Sequence, residues 1–220
     1  MKPRLRPSNE PYRPARPETS MRVYGLTGGM GCGKSEVARV FMERGIPVIE
    51  ADRLGHEAIA PGGEAEQAVR EAFGEGILTE GSIDRRKLGP LVFGDDKARA
   101  RLNALVHPII RKRIKERCQE LRDQGHRAMV IDAALLAEDG GMPDCLNGLI
   151  LVSASEETRI ERLMASRGLS REEAAQRLAA QTPPERKRPL ASHVIDNEDT
   201  LEALRARARE TADHILKEAS

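Results

Sequence analysis

Residues 28–35 read GGMGCGKS and fit the pattern G-x-x-x-x-G-K-[ST] of a phosphate-binding loop. Glycines let the backbone adopt positive φ and come close to a polyphosphate, so that successive N–H groups point at its oxygens. Lys34 is placed to reach the β- and γ-phosphates, and the Ser35 hydroxyl to ligate the Mg²⁺ that bridges them. The pattern predicts a site for a nucleoside triphosphate with Mg²⁺; the alternative is a glycine-rich turn without a ligand. The predicted contacts are Gly28, Gly29, Gly31, Cys32, Gly33, Lys34 and Ser35.

The elements around this loop have the order that a phosphate site needs. The apolar run at residues 23–26 predicts a strand before it, and apolar residues recur at helical spacing over residues 34–44 after it. The loop therefore ends on a helix N-terminus, which favours a bound anion. Strands that alternate with helical patterns predict an α/β fold, with a parallel sheet covered by helices on both faces. Four more strands are predicted at residues 46–49, 128–131, 148–152 and 194–195.

Asp132 ends the continuous apolar run of residues 128–131, as expected for a carboxylate that follows a buried parallel strand. In this position it resembles a Walker-B aspartate that holds Mg²⁺ directly or through water, although a cap after the strand is the alternative. The next residue is Ala133, whereas ATPases that hydrolyse for mechanical work usually place a glutamate there. Deliberate hydrolysis is therefore disfavoured.

Asp52 follows the second predicted strand, at the end of the sheet where ligands of open parallel sheets bind. A carboxylate there can accept the proton of an attacking hydroxyl during in-line phosphoryl transfer. Capping of a helix over residues 53–59 is compatible with this role. Residues 52–55 also match the D-x-x-G of GTPase switches, but the chain contains no N-K-x-D motif, so this class is disfavoured.

Arginine is dense over residues 159–188. Two helices joined around Gly168 would form a lid that supplies cations to the transferring phosphoryl group and excludes water. The alternative is a solvated face whose glutamates are helical partners, and it applies to most of these arginines. Within this segment, Ser170 and Glu173 have the spacing of a capping box.

A mostly helical region separates the second and third strands of the sheet. Pro108 is expected to kink or divide the last of its helices, and the adjacent His107 either contacts an acceptor or packs. Near the other end of the chain, Asp199 is expected to cap a final helix that continues through Lys217. The predicted helices of the region cover residues 53–59, 64–73, 83–92 and 96–118.

Composition narrows the class of protein. The 220-residue chain has a formal net charge of +1 and 2% aromatic residues, which argues against nucleic-acid partners. Its three cysteines form no C-x-x-C pair and suggest free thiols in a reducing cytoplasm; Cys32 is either a thiol of lowered pKa or a small loop residue. No apolar run approaches a membrane span. Residues 1–20 are rich in proline and charge and are expected to be a disordered tail, followed by one domain over residues 21–220.

Several segments in this order resemble the dephospho-CoA kinase family: VYGLTGGMGCGKS, GIPVIEAD, LNALVHPII, VIDAALLAE, RLMASRGLS and AAQTPPERK followed by HVIDN. The resemblance runs from about Met21 to Leu216. It implies a P-loop fold like that of nucleoside-monophosphate kinases, with three layers and a parallel five-stranded sheet of order 2-3-1-4-5. A helical CoA-binding insertion is implied at residues 53–120 and a lid at 159–188. The implied reaction moves the γ-phosphate of ATP to the ribose 3′-hydroxyl of dephospho-CoA.

The resemblance also extends the predicted site. Glu36 stands where the family usually has Thr, and its backbone N–H is expected at the α-phosphate, with its side chain directed away. Ser166 replaces the lid arginine, which makes Arg167 or Arg162 the candidate phosphate contact. Arg85 is a candidate acceptor contact together with His107.

Two other functions stay open on sequence alone. One is a kinase for another small hydroxyl or nucleotide, and the other is a nucleotide-binding regulator without turnover. A monomer or small homo-oligomer without a nucleic-acid or membrane partner is expected.

Overall fold

The computed structural model describes residues 21–133, 146–181 and 183–219. The predicted tail, residues 1–20, lies outside them. Strands and helices alternate through most of the described chain. The strands are β1 (Arg22–Thr27), β2 (Val48–Glu50), β3 (Leu78–Thr79), β4 (Ser82–Ile83), β5 (Ala128–Asp132), β6 (Gly148–Ser153) and β7 (His193–Asp196). The α-helices are α1 (Lys34–Glu43), α2 (Ala51–Ile59), α3 (Glu66–Phe73), α4 (Arg85–Phe93), α5 (Asp96–Asp123), α6 (Glu156–Arg167), α7 (Arg171–Ala179), α8 (Pro184–Lys187) and α9 (Leu201–Glu218).

Five strands form one sheet in the order β2-β5-β1-β6-β7. The pairings of β1 with β5, β1 with β6 and β6 with β7 are parallel. Counting only the strands of this sheet, the order is 2-3-1-4-5, so the predicted fold is confirmed. Asp132 is in register with Leu26, which places its carboxylate at the end of the sheet where β1 leads into the phosphate loop.

The two strands on either side of β1 are buried along their whole length, as expected where helices cover both faces of a parallel sheet. Every residue of β5 and β6 is buried. On one face, α1 and α9 share a core cluster with strand residues such as Tyr24 and Ile150, and their own contributions include Phe41 and Ile215. This packing fixes the helix whose first residue is Lys34, and therefore the exit of the phosphate loop.

The chain divides into two compact units, of which the second spans Ile49–Gln124. This unit contains α2–α5, a small hairpin of β3 and β4, and a core that includes Val69, Ile77 and Leu88. The predicted insertion, residues 53–120, lies within it. The fourth helix begins later than predicted because Ile83 pairs with Leu78 in the hairpin.

Helix α4 begins only after Asp84, whose side chain accepts a hydrogen bond from the backbone N–H of Arg86 at 2.8 Å. That bond, together with hydrogen bonds from the side chains of Arg86 and Thr79, lowers the pKa of the Asp84 carboxyl to about 2. Asp84 therefore acts as the N-cap of α4, and a carboxylate suits the positive end of the helix dipole.

The structure excludes one of the two alternatives for Pro108, a division of its helix, and corrects the predicted cap of the final helix. Pro108 does not divide its helix, since α5 is one helix of 28 residues. Pro108 and Ala104, four residues earlier, are both exposed, so water can take the bond that the missing N–H leaves unmade. Thr200, not Asp199, caps the final helix, and its side chain accepts from the backbone N–H of Ala203.

The predicted lid segment contains α6, α7 and α8. Ser155 caps α6. The capping box of Ser170 and Glu173 begins α7, as predicted. Buried residues of both helices, including Ile160 and Leu178, form a small core against which Met30 of the phosphate loop packs. Among the helices that the structure describes, none is long and apolar enough to span a membrane.

Candidate active site

The phosphate loop connects β1 to α1 through glycines that no other residue could replace without a shift. Gly31 and Gly33 have φ of +76° and +92°, a region that glycine occupies without strain. A Cβ on Gly29 would lie 2.3 Å from a guanidinium nitrogen of Arg159, and one on Gly33 would lie 2.5 Å from Nδ2 of Asn197. The glycines thus satisfy both the loop conformation and the close approach of other side chains.

Lys34 and Asp132 form an ion pair, with only 18% and 11% of their side chains exposed. Sequence analysis predicts both at the phosphates and the metal, one from the loop and one from the end of β5. The structure brings them together. Ser35 follows Lys34 in the first turn of α1 and is exposed. Its hydroxyl and the Asp132 carboxylate are the hard oxygen ligands that Mg²⁺ prefers, so these residues fit the predicted metal.

Cys32 is buried, and burial raises the pKa of its thiol despite the nearby Lys34 and Arg159. A raised pKa means that the thiol stays protonated at neutral pH and is a poor nucleophile. Of the two interpretations, the small loop residue is therefore the one that the structure supports.

The Glu36 side chain forms ion pairs with Arg39 of its own helix and with Arg205 of α9. These partners hold the carboxylate on the helix surface. Its backbone N–H donates to the carbonyl of Gly33 at 3.0 Å, so this donor is engaged within the loop here. Contact of this N–H with the α-phosphate stays a prediction.

Arg159 is a loop contact that sequence analysis did not single out. Its Nε donates to the Met30 carbonyl at 2.8 Å, and a second guanidinium nitrogen donates to Oε1 of Gln181 at 2.9 Å. The same Gln181 oxygen accepts from the Met30 backbone N–H at 3.0 Å. Arg159 of α6 therefore binds the carbonyl of Met30, and Gln181, which follows α7, binds the N–H of the same loop residue. Only the density of arginine in the segment pointed to it.

Arg162, a predicted phosphate contact, is bound to protein oxygens. Its guanidinium donates to the backbone oxygen of Asn197 at 3.0 Å and to the side-chain oxygen at 3.2 Å. Asn197 in turn donates from Nδ2 to the carbonyl of Cys32 at 2.9 Å. In this arrangement Arg162 supports the loop through Asn197, a residue that sequence analysis did not assign to the site.

Arg167, the other lid candidate, is at the end of α6 and exposed. One guanidinium nitrogen lies 3.9 Å from the sulfur of Met30, on the loop. Within the residues that the structure describes, no carboxylate pairs with it, whereas Arg171 pairs with Glu157. A cation at the loop without an anionic partner remains available to a phosphate.

The second unit holds the predicted acceptor residues. Asp52 is the second residue of α2 and follows the N-cap position, so capping of this helix is not its role. Burial lowers the pKa of His56, Arg85 lowers it further, and Asp52 opposes both. These three charges are therefore close enough to interact. His56 was not predicted, although its i, i+4 spacing from Asp52 was a usable signal.

His107, the remaining acceptor candidate, is half-buried on α5, next to the core residue Val106. This position suits the packing alternative, and acceptor contact by His107 and Arg85 stays a prediction.

Asn197→Ala is expected to lower the free energy of unfolding by about 1–3 kcal/mol, because the buried Cys32 carbonyl and Arg162 lose a partner. Urea denaturation followed by circular dichroism measures this change. The exposed Gln119→Ala is the matched control, with an expected change within about 0.5 kcal/mol. Equal stabilities of the two variants would contradict the supporting role of Asn197.

A parallel sheet of this order, a phosphate loop after β1 and a carboxylate at the end of β5 define a P-loop protein of the kinase class. Residues 22–203 match the family model described as dephospho-CoA kinase. The chain therefore belongs to the dephospho-CoA kinase family.

Individual relatives agree with this family. A dephospho-CoA kinase of Geobacter sulfurreducens is 47% identical over 191 residues, which cover 86% of this chain and 96% of the relative. The crystal structure of TT1252 from Thermus thermophilus is 36% identical, covers 92% of this chain and all of that chain, and has a TM-score of 0.78. The dephospho-CoA kinase structure from Campylobacter jejuni is 26% identical over 89% of this chain and 97% of that chain, with a TM-score of 0.59.

Proposed function

We propose that this protein transfers the γ-phosphoryl group of ATP to the ribose 3′-hydroxyl of dephospho-CoA, giving coenzyme A and ADP in the last step of coenzyme A biosynthesis. The family match over residues 22–203 carries this proposal. The Lys34–Asp132 pair at the phosphate loop supports it independently, since it supplies a cation for the phosphates and a carboxylate for the metal.

On the nucleotide side, the loop N–H groups and Lys34 bind the ATP phosphates. The contacts proposed are those predicted from the sequence, Gly28 through Glu36 without Met30. Ser35 and Asp132 would hold Mg²⁺, which neutralises charge on the phosphates when bound. Arg159, Gln181 and Asn197 keep the loop in shape, so its donors do not need to reorganise when the phosphates arrive.

On the acceptor side, Asp52 takes the proton of the attacking hydroxyl. The proposal rests on its place directly after β2, at the ligand-binding end of the sheet. Arg85 and Asp52 each interact electrostatically with His56, so the second unit holds a cation and the carboxylate within reach of the same histidine. A cation suits an acceptor that carries a pyrophosphate group, as dephospho-CoA does.

Arg167→Ala is expected to lower kcat more than Arg171→Ala, because Arg167 is the lid candidate without a carboxylate partner among the described residues. Steady-state kinetics of both variants, with Arg177→Ala as a further control, measures the difference. Small and equal losses in all three would instead indicate a solvated charged face, where single charges contribute little.

The reaction itself is tested by ADP release from Mg-ATP with a panel of acceptors: dephospho-CoA, adenosine, AMP, shikimate and no acceptor. Fast release with dephospho-CoA alone is expected, with a product heavier by one phosphoryl group at the ribose 3′ position. Faster release with another acceptor would indicate a different small-molecule kinase. Nucleotide binding without release would indicate a regulator.

The remaining features of the proposal concern the setting of the enzyme. A cytoplasmic location agrees with the free thiols of Cys32 and Cys118. We infer a monomer or small homo-oligomer that acts on small molecules, without a nucleic-acid or membrane partner.

A further inference from the structure

His193, His214 and Glu218 form a cluster that phosphoryl transfer does not use. Each offers one ligand atom, and these three atoms lie within 4.8 Å of one another. Among the described residues, these three are the side chains of His, Cys, Asp or Glu that bring three ligand atoms this close together. His193 is the first residue of β7, whereas the phosphate loop follows the last residue of β1. Leu204, near the start of α9, lies beside Gly33 of the loop, whereas His214 and Glu218 are in the last turns of that helix, so these two ligands lie about 15 Å or more from the loop along α9.

The cluster is assembled from two elements of the first unit. His214 and Glu218 are one helical turn apart on α9, so their side chains share a face, and Nδ1 of His214 lies 3.5 Å from Oε1 of Glu218. His193 comes from the sheet, and its ring centroid lies 5.3 Å from that of His214 in an edge-to-face arrangement. An ordinary i, i+4 pair of His and Glu on a helix surface does not include a third ligating side chain from a strand, so this arrangement is more than such a pair.

The buried Tyr24 orients the carboxylate of Glu218. Its hydroxyl donates a hydrogen bond to Oε2 of Glu218, which leaves Oε1 for a ligand, and its ring lies 5.8 Å from that of His193. Tyr24 is buried, and burial together with Glu218 raises the pKa of the hydroxyl, so that it remains a donor. Metal-binding carboxylates are commonly held by such outer hydrogen bonds.

We propose that His193, His214 and Glu218 bind a Zn²⁺ ion or a similar borderline divalent metal. Two imidazole nitrogens and one carboxylate oxygen are ligands that Zn²⁺ accepts, with water in the fourth position. Bonds of about 2.0–2.2 Å require ligand atoms closer together than 4.8 Å. His214 and Glu218 are exposed and can make that adjustment by rotamer changes.

Two electrostatic effects act on a bound cation. Arg22 interacts with the Tyr24 hydroxyl, so its positive charge opposes a metal, while the Glu218 carboxylate offsets it. The bound ion joins β7 to the last turns of α9, and we therefore expect it to stabilise the folded protein.

The test is titration of the nucleotide-free full chain with Zn²⁺ by isothermal calorimetry, together with thermal unfolding in the presence of Zn²⁺ or Mg²⁺. We expect one site, a higher Tm with Zn²⁺ and no such shift with Mg²⁺, which prefers an octahedral set of oxygens. His214→Ala and Glu218→Gln are expected to weaken that site by at least about 100-fold and to abolish the shift. Both positions are exposed, so the variants should fold.

His126→Ala removes a histidine outside the cluster and is the matched control, with Zn²⁺ affinity equal to that of the parent. The thiols of the chain are a second possible source of Zn²⁺ affinity, and all variants retain them. Equal binding by the parent, His214→Ala and Glu218→Gln would assign Zn²⁺ to those thiols and overturn the proposal. Absence of a saturable site in the parent would overturn it as well.

Discussion

Lys34→Ala is expected to lower kcat by about 10²–10³-fold, because a cation aimed at the developing charge of the transferred phosphoryl group contributes mainly in the transition state. The structure adds a reason to expect folding to survive. Lys34 pairs with Asp132 at the end of β5, while the core of α1 is formed by Val37, Val40 and Phe41. Loss of the ammonium group therefore leaves the apolar packing of the helix intact, and the cost to stability is the loss of a partner for Asp132.

The measurement is initial ADP release with Mg-ATP and dephospho-CoA, with circular dichroism to compare folding. Lys97→Ala is the matched control, since Lys97 is exposed near the start of α5 in the second unit. Its kcat is expected to equal that of the parent. Near-normal turnover in Lys34→Ala would remove the basis for assigning this loop to phosphoryl transfer.

Asp52→Asn is expected to lower kcat by about 10²–10⁴-fold, because a ribose hydroxyl is a poor nucleophile and an amide cannot accept its proton. The substitution keeps the size of the side chain. Glu50, not Asp52, is at the N-cap of α2, so the substitution leaves the cap position unchanged and removes one charge from the first turn of the helix. Folding and ATP affinity should therefore be nearly normal.

The same assay measures Asp52→Asn, with ATP affinity determined separately by calorimetry. Glu71→Gln is the control for loss of one carboxylate in the second unit; it lies on α3 and is exposed. A kcat within about twofold of the parent in Asp52→Asn would rule out the general base and favour a nucleotide-binding regulator.

The sequence by itself determined the features that depend on residues a few positions apart. The phosphate loop is one, because the glycines, the lysine and the serine act through the backbone of one turn. The capping box of Ser170 and Glu173 is another, since its two hydrogen bonds close within one helical turn. Buried parallel strands were equally readable, because burial on both faces demands continuous apolar runs such as residues 128–131.

The ends of the helices were less well determined by the sequence. Thr200 and Asp199 are both good N-cap residues, but Thr200 accepts from the N–H of Ala203, while the Asp199 carboxylate pairs with Arg207. Pro108 predicts a kink or a division of the helix, and the helix is not divided because packing of Leu105 and Ile109, on either side, outweighs one lost hydrogen bond. Local propensity gave the wrong answer where tertiary contacts carried more free energy.

Only the tertiary structure decided which side chains support the phosphate loop. Asn197 is 165 residues from the Cys32 carbonyl to which it donates, and Gln181 is 151 residues from the Met30 N–H that it accepts from. Among many arginines of one segment, Arg159 is buried against the loop, while Arg171 pairs with a glutamate at the surface. In the sequence, these arginines have the same charge and similar spacing, so their roles cannot be distinguished there. Their roles differ because packing of α6 against the loop buries one guanidinium, and a buried guanidinium must find hydrogen-bond acceptors there.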